Sequence, residues 1–230
     1  MIEETTRLLR RERDAVLHPG ASPAALAGLP ARLGRPLPAA HLELLAASNG
    51  IEVAGGFLRV FGFERERDAD LLEWNRPELW KFAWPAAVAD HLCFAQSGWG
   101  DQYAYPPGRD EVVRIDSQDA RVEPFCASFA EFLEGEVLRC ARRHYDPFVA
   151  PARARLGDLT TDALVAYAPP LLVGGEPSVE RLTRMKARAV MVVNGDLIRE
   201  YDGAPEGARL LGFTPYRDDE GRARMRLRWG

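Results

Sequence analysis

Residues 91–116 read HLCFAQSGWGDQYAYPPGRDEVVRID, and this stretch decides the fold. His91 to Gly98, Asp101 to Gly108 and Glu111 to Asp116 carry the aromatic and β-branched content of strands. Pro106-Pro107-Gly108 forces a loop between the second and third of them. Strand, turn, strand, strand with short connections predicts an antiparallel meander. Downstream, Ser128-Phe129-Ala130-Glu131 has the form of a capping box. The helix it opens carries Phe129, Phe132, Leu133, Val137 and Leu138 on one side, so it is expected to cover one sheet face.

Upstream, Gly56 to Phe63 (GFLRVFGF) reads as another strand, with Gly55-Gly56 as the turn before it. Pro38 to Ser48 reads as a helix, apolar at Leu42, Leu45 and Ala46, and Asn49-Gly50 supplies the left-handed residue that stops it. Ser22-Pro23 offers a cap followed by proline at the first helical position. Glu3 to Leu17 reads as a polar-faced helix ended by His18-Pro19-Gly20. Glu64 to Pro85 opens charged and then carries Trp74, Trp80 and Trp84 without a clean period. It is expected to be an excursion with a short helix, its tryptophans either core or aromatic anchors for a partner.

Tyr145 to Gly157 holds two prolines and little periodicity, which places a boundary there: a domain over 1–147 and an extension over 148–230. Within the extension, Asp162 to Ala168 reads as a helix ended by Pro169-Pro170, and Ser178 as the cap of a helix running to Lys186. Val190 to Tyr201 reads as a hairpin turning at Asn194-Gly195. Arg209 to Tyr216 and Arg222 to Trp229 form a second hairpin around Asp218 to Gly221. The last strand alternates Arg222, Arg224, Arg226 and Arg228 with Ala223, Met225, Leu227 and Trp229. Its apolar half is expected in the core; the arginine row is either a solvated face or a binder of phosphates or an acidic partner.

The chain has 230 residues, 47% hydrophobic and 28% charged, which excludes a disordered or fibrous protein. No apolar run approaches the roughly 18 residues of a membrane span, and the charged start has no signal-peptide stretch, so a cytoplasmic location is expected. Cys93, Cys126 and Cys140 show no CxxC spacing, and the four histidines fall at no ligand spacing, so neither a metal nor a disulfide framework is indicated. Ser97 in QSGWG lacks the glycine of a nucleophile elbow, and Gly174-Gly175 lacks the company of a phosphate loop. His91 with Asp101 is the one acid–base pair offered for a hydrolase. The net charge is −4, but Asp90 to Glu136 holds ten acids against Arg109, Arg114 and Arg121. Such a field repels nucleic acid and attracts basic proteins.

Five segments, in order, carry a family resemblance. They are Leu29-Pro30 with the helix ending Ser48-Asn49-Gly50, the strand Phe57 to Gly62, Trp99-Gly100-Asp101-Gln102-Tyr103-Ala104-Tyr105, Val112 to Asp116, and Ala127 to Leu133. Together they resemble the SUKH superfamily of fungal cell-wall-assembly regulators and bacterial immunity proteins, over roughly residues 25 to 140. The resemblance implies an α+β fold with a mostly antiparallel central sheet flanked by helices, no enzymatic activity and no cofactor. The C-terminal part, with its hairpins, resembles extensions attached to some bacterial members.

The resemblance further implies a protein partner, for immunity members a toxin, here a basic toxin domain; a regulatory scaffold is the alternative. Asn49, Gly50, Trp99, Gly100, Asp101, Tyr103, Ser128 and Phe129 are then structural. Partner binding is assigned to Glu64, Glu66, Asp68, Asp70, Asp110, Glu111 and Asp119, with Trp74 and Trp80 as aromatic anchors.

Overall fold

Seven strands pair in chain order into one sheet whose neighbours are all antiparallel: β1 (Ala15–Leu17), β2 (Ile51–Val53), β3 (Leu58–Val60), β4 (Leu92–Ser97), β5 (Gln102–Tyr105), β6 (Val112–Ile115) and β7 (Val122–Cys126). The computed structural model describes residues 1–64, 70–143 and 146–230. The predicted meander is the middle of this sheet. Every residue of β4 and β5 is buried, because both faces of these strands are covered. The α+β architecture with a central antiparallel sheet is as expected.

One face is covered by helices: α1 (Ile2–Leu9), α2 (Pro23–Leu33), α3 (Ala39–Ala47) and α5 (Phe129–Phe132), with α4 (Ala86–Ala89) lying between β3 and β4 in the chain. α5 continues through a π-helical stretch, Leu133–Leu138, into α6 (Arg139–Arg143). Here Phe94 packs edge-on against Phe129 and Phe132, and His41 of α3 stacks on Phe129 with centroids 4.2 Å apart. The Ser22 side chain caps α2 through the Ala25 N–H at 3.2 Å, and Pro23 occupies the first turn.

Two local readings change. α1 ends at Leu9, and Ala15–Leu17, expected as the end of a helix, is strand β1 in register with β2. The polar residues between are compatible with helix, but the edge of β2 extends the ladder to Asp14 O and His18 N–H, bonds that a helix end does not offer. β7 was not anticipated, since it contains Pro124; an edge strand tolerates a missing N–H.

The C-terminal segment exchanges helix and strand relative to expectation. After α7 (Val149–Leu156), Ala163–Tyr167, read as helix, is β8, and it pairs antiparallel with β9 (Leu182–Lys186), read as the end of a second helix. Ser178 precedes only one 3-10 turn, Val179–Arg181. The segment read as a hairpin is a single helix, α8 (Ala187–Asp202). Its buried Val190, Met191, Asn194, Leu197 and Ile198 follow the three-to-four spacing of one helical face, and this burial outweighs the turn preference of Asn194-Gly195. Gly195 is required there: a Cβ would lie 2.5 Å from Trp84 Cδ1.

The last hairpin, β10 (Leu210–Arg217) with β11 (Ala223–Trp229), pairs as expected, but of the apolar half expected in the core only Leu227 is buried, because the two-stranded sheet is covered by α8 along one edge. Its arginine row is not a uniform solvated face. Arg224 is paired with buried Asp196 of α8, Arg222 lies 4.0 Å over the Phe82 ring, and Arg226 lies over Tyr216. The open edge of β11 is capped by α8: Met225 N–H donates to Asp196 at 2.7 Å and Leu227 N–H to Glu200 at 3.2 Å.

Bonds cross residue 147 in several places. Trp84 Nε1 donates to Met191 O at 2.6 Å, Arg59 to Thr160 O at 2.6 Å and Ala163 O at 3.1 Å, and Val165 N–H to Gly98 O at 2.8 Å. The C-terminal segment thus covers the second face of the sheet.

Candidate protein-binding site

The turn between β4 and β5 is built from Ser97 to Asp101. Ser97 N–H donates to Asp101 O at 2.9 Å, Gly100 takes φ 98° as only glycine does readily, and Ser97 Oγ accepts from Trp99 and Asp101 N–H. Asp101 Oδ1 accepts from Ser117 N–H at 3.1 Å, joining this turn to the one after β6. Burial pushes the Asp101 carboxyl above its ordinary value.

Trp99 Nε1 donates to Asp146 at 2.7 Å, and the Tyr103 hydroxyl donates to Glu136 at 2.6 Å. Glu136 is 3% exposed and also meets Arg139 at 3.4 Å. The result is a concavity of about 250 Å³ whose lining includes Trp99, Asp101, Tyr103, Arg114, Glu136 and Arg139. Its carboxylates and guanidiniums offset one another, so it holds a charge network rather than a naked acidic pocket.

The other motif residues tie elements together. The Asn49 amide brackets Phe63, accepting from its N–H at 2.9 Å and donating to its O at 2.8 Å. Gly50 takes φ 105°. Ser128 Oγ accepts from Glu131 N–H at 3.2 Å, and Glu131 reaches back to Ala127 N–H at 2.8 Å.

The residues assigned to partner binding separate into four groups. Trp74 and Trp80 are fully buried, so they are core and not available as anchors. Trp74 Nε1 donates to Gln102, Trp80 Nε1 to Trp74 O, and their rings pack with Trp84. Asp70 is 3% exposed; its carboxylate accepts from Leu72 N–H at 2.8 Å and so shapes a turn instead of facing a partner. Glu66 and Asp68 lie outside the described residues. Glu64, Asp110 and Asp119 are exposed and Glu111 is partly buried, and each is ion-paired within the chain: Glu64 to Arg32, Asp110 to Arg35, Glu111 to Arg109 and Asp119 to Arg121. Asp110 and Asp119 flank opposite ends of β6, so they do not form one cluster.

The acidity counted along the chain is therefore moderated in space by arginines, of which Arg35 and Arg139 lie outside the counted segment. Sequence reasoning missed those two, together with Glu136 and Asp146. Arg35 and Asp146 meet their partners from distant segments, which leaves no local spacing to detect, whereas Glu136 and Arg139 stand three residues apart on one helical stretch, a spacing the chain does show. His91 and Asp101 also separate: they bracket the two ends of β4, which at about 3.3 Å per residue is roughly 20 Å long. The proposed acid–base pair does not exist in this fold. Among the described residues, no group of three metal-ligating side chains is found and no helix is long and apolar enough to cross a membrane.

A meander-centred antiparallel sheet with helices on one face, joined by the Asn-Gly and Trp-Gly-Asp turns, defines an α+β protein of the SUKH type. The chain belongs to the SMI1 / KNR4 family (SUKH-1), whose model matches residues 20–135. No curated protein matches it. Among solved structures, the crystal structure of Atu4351 from Agrobacterium tumefaciens is similar over 94% of this chain and 94% of that one, at 13% identity and a TM-score of 0.54. This likeness concerns the fold, and its coverage carries it beyond residue 135 into the C-terminal segment.

Proposed function

We propose that this protein works by binding another protein rather than by catalysis, and that its partner is a basic toxin domain which it neutralises inside the producing cell. Membership of the SUKH-1 family carries the reading. Its surface supports it: Glu64, Asp110 and Asp119 are held by exchangeable arginine pairs, and an incoming lysine or arginine can take the arginine's place at little cost. Complementary charge of this kind speeds encounter more than it strengthens the final complex.

The test has two stages. The protein is used as bait in its native cell, and any captured protein is expressed alone and with it. One basic protein whose toxicity co-expression suppresses, bound more weakly at about 300 mM than at about 50 mM salt, is expected. Capture of several envelope or signalling proteins, or of a partner whose toxicity is not relieved, overturns the reading in favour of a regulatory scaffold.

A further inference from the structure

Trp99 lines a second concavity, of about 270 Å³, where the C-terminal segment meets the sheet. Its walls include Tyr167 of β8, Val190 and Asn194 of α8, and Phe213 and Met225 of the last hairpin. No charged side chain lines it. The Trp99 and Tyr167 rings are within 12° of parallel, with centroids 6.4 Å apart, so two flat aromatic faces share one orientation on the wall.

Asn194 is the polar feature that apolar packing does not explain. It is 8% exposed, and its Nδ2 donates to Ser117 O at 3.0 Å. Among the described residues nothing donates to its Oδ1, although the side chain lines the pocket. Asparagine next to glycine in a helix interior works against helix propensity. Gly195 is accounted for by Trp84, whereas an acceptor at Asn194 has no structural use of its own. Local rules tend to break at sites that do something.

We infer that this pocket binds a small, uncharged aromatic ligand, which lies against Trp99 and Tyr167 and donates one hydrogen bond to Asn194 Oδ1. An ion entering a lining without counter-charge loses its hydration uncompensated, which excludes charged ligands. The volume lies just below the range of drug-sized molecules, which limits the ligand to one or two rings. None of the acids assigned to partner binding lines the pocket, so the inference stands whether or not the partner is a toxin.

The full-length protein, labelled with nitrogen-15, is titrated with indole, with benzothiophene as the same shape without the N–H, and with indole-3-carboxylate as the charged analogue. Indole is expected to shift the Trp99 Nε1–H and Asn194 side-chain signals saturably. Benzothiophene should bind about tenfold more weakly, the scale of one lost hydrogen bond, and the carboxylate more weakly still. Val193→Phe fills the pocket from α8 and should weaken indole at least tenfold; Ala166→Leu repeats the test from β8 should the first variant not fold. Asn194→Leu should erase the preference for indole over benzothiophene. Unsaturable shifts scattered over the surface, equal binding by the filled variants, or no preference for the N–H overturns the inference.

Discussion

The two sides of the sheet are held in place by different chemistry. On the side of α3 and α5, the polar groups inside the packing are mostly uncharged, Asn49 on the Phe63 backbone and His41 beside the Tyr105 hydroxyl, with the carboxylate of Glu136 held by the Tyr103 hydroxyl. The last hairpin is instead tied to α8 by ions, with Arg224 between Asp196 and Asp218, and the carboxylates of Asp196 and Glu200 accepting strand N–H groups. Exposed Leu211 and Phe213 sit on that same hairpin. Uncharged clamps fail gradually when one partner is lost, whereas a buried ion left without its partner is costly. The hairpin is therefore the part of the molecule that a single substitution can release.

The largest expected effect tests this directly. Asp196→Ala removes the closer counter-ion of Arg224, whose side chain is 11% exposed, leaving only Asp218 at 3.4 Å, and removes the acceptor for Met225 N–H; the loss should be about 3 kcal/mol, the low end for a broken buried pair. Hydrogen exchange should show residues 210–229 opening while β4 and β5 stay protected. Uniform deprotection would mean that hairpin and sheet unfold as one unit and would remove the distinction.

The uncharged side has its own weak point, in acid. Burial pushes His41 from 6.5 down to about 3. A base whose folded pKa is depressed takes its proton more readily when unfolded, so its contribution is present above about pH 6.5 and is lost as pH falls toward 3. The loss should be on the order of 3 kcal/mol by about pH 4. His41→Phe keeps the stack on Phe129 and gives up the Tyr105 contact, costing about 1 kcal/mol at neutral pH but flattening the fall below pH 6. Parallel Tm-versus-pH curves for the two proteins would sink the assignment. A smaller change, about 1–2 kcal/mol, is expected for Tyr103→Phe, which deprives buried Glu136 of its 2.6 Å hydrogen bond; unchanged urea unfolding would show that the partners left to Glu136, Arg139 among them, satisfy it.

What could be read in the chain follows the same division. The meander, the capped helices and the Asn-Gly and Trp-Gly-Asp turns are local devices, each set by residues within a few positions, and they appear where expected. The C-terminal segment is decided by distant surfaces. Ala163–Tyr167 is a strand because Lys186 to Leu182 lies beside it, and Asn194-Gly195 stays helical because Trp84 and Ser117 press on it from more than seventy residues away. The candidate site was legible to the same limited degree: exposed Asp110 and Asp119 were named, but Trp74, Trp80 and Asp70 face inward, and while Arg121 stands two residues from Asp119, the arginine that meets Asp110 comes from seventy-five residues away.

The smallest effect expected on stability decides whether the acidic surface is free to work. Asp110 is 71% exposed at its side chain, and Arg35, 3.4 Å away, also donates to Pro106 O and Arg109 O at 2.9 Å each. Removing the carboxylate leaves Arg35 anchored on two carbonyls, so Asp110→Ala should cost no more than about 0.5 kcal/mol. Asp110→Lys with Glu111→Lys should likewise leave Tm nearly unchanged, while slowing association with a basic partner and reducing its dependence on salt. A destabilisation above about 1 kcal/mol would show that the Arg35 pair is needed to hold the loop between β5 and β6 in place. The acids there would then be part of the sheet's own framework, and recognition of a basic partner would have to fall to Glu64 or Asp119 at other positions on the surface.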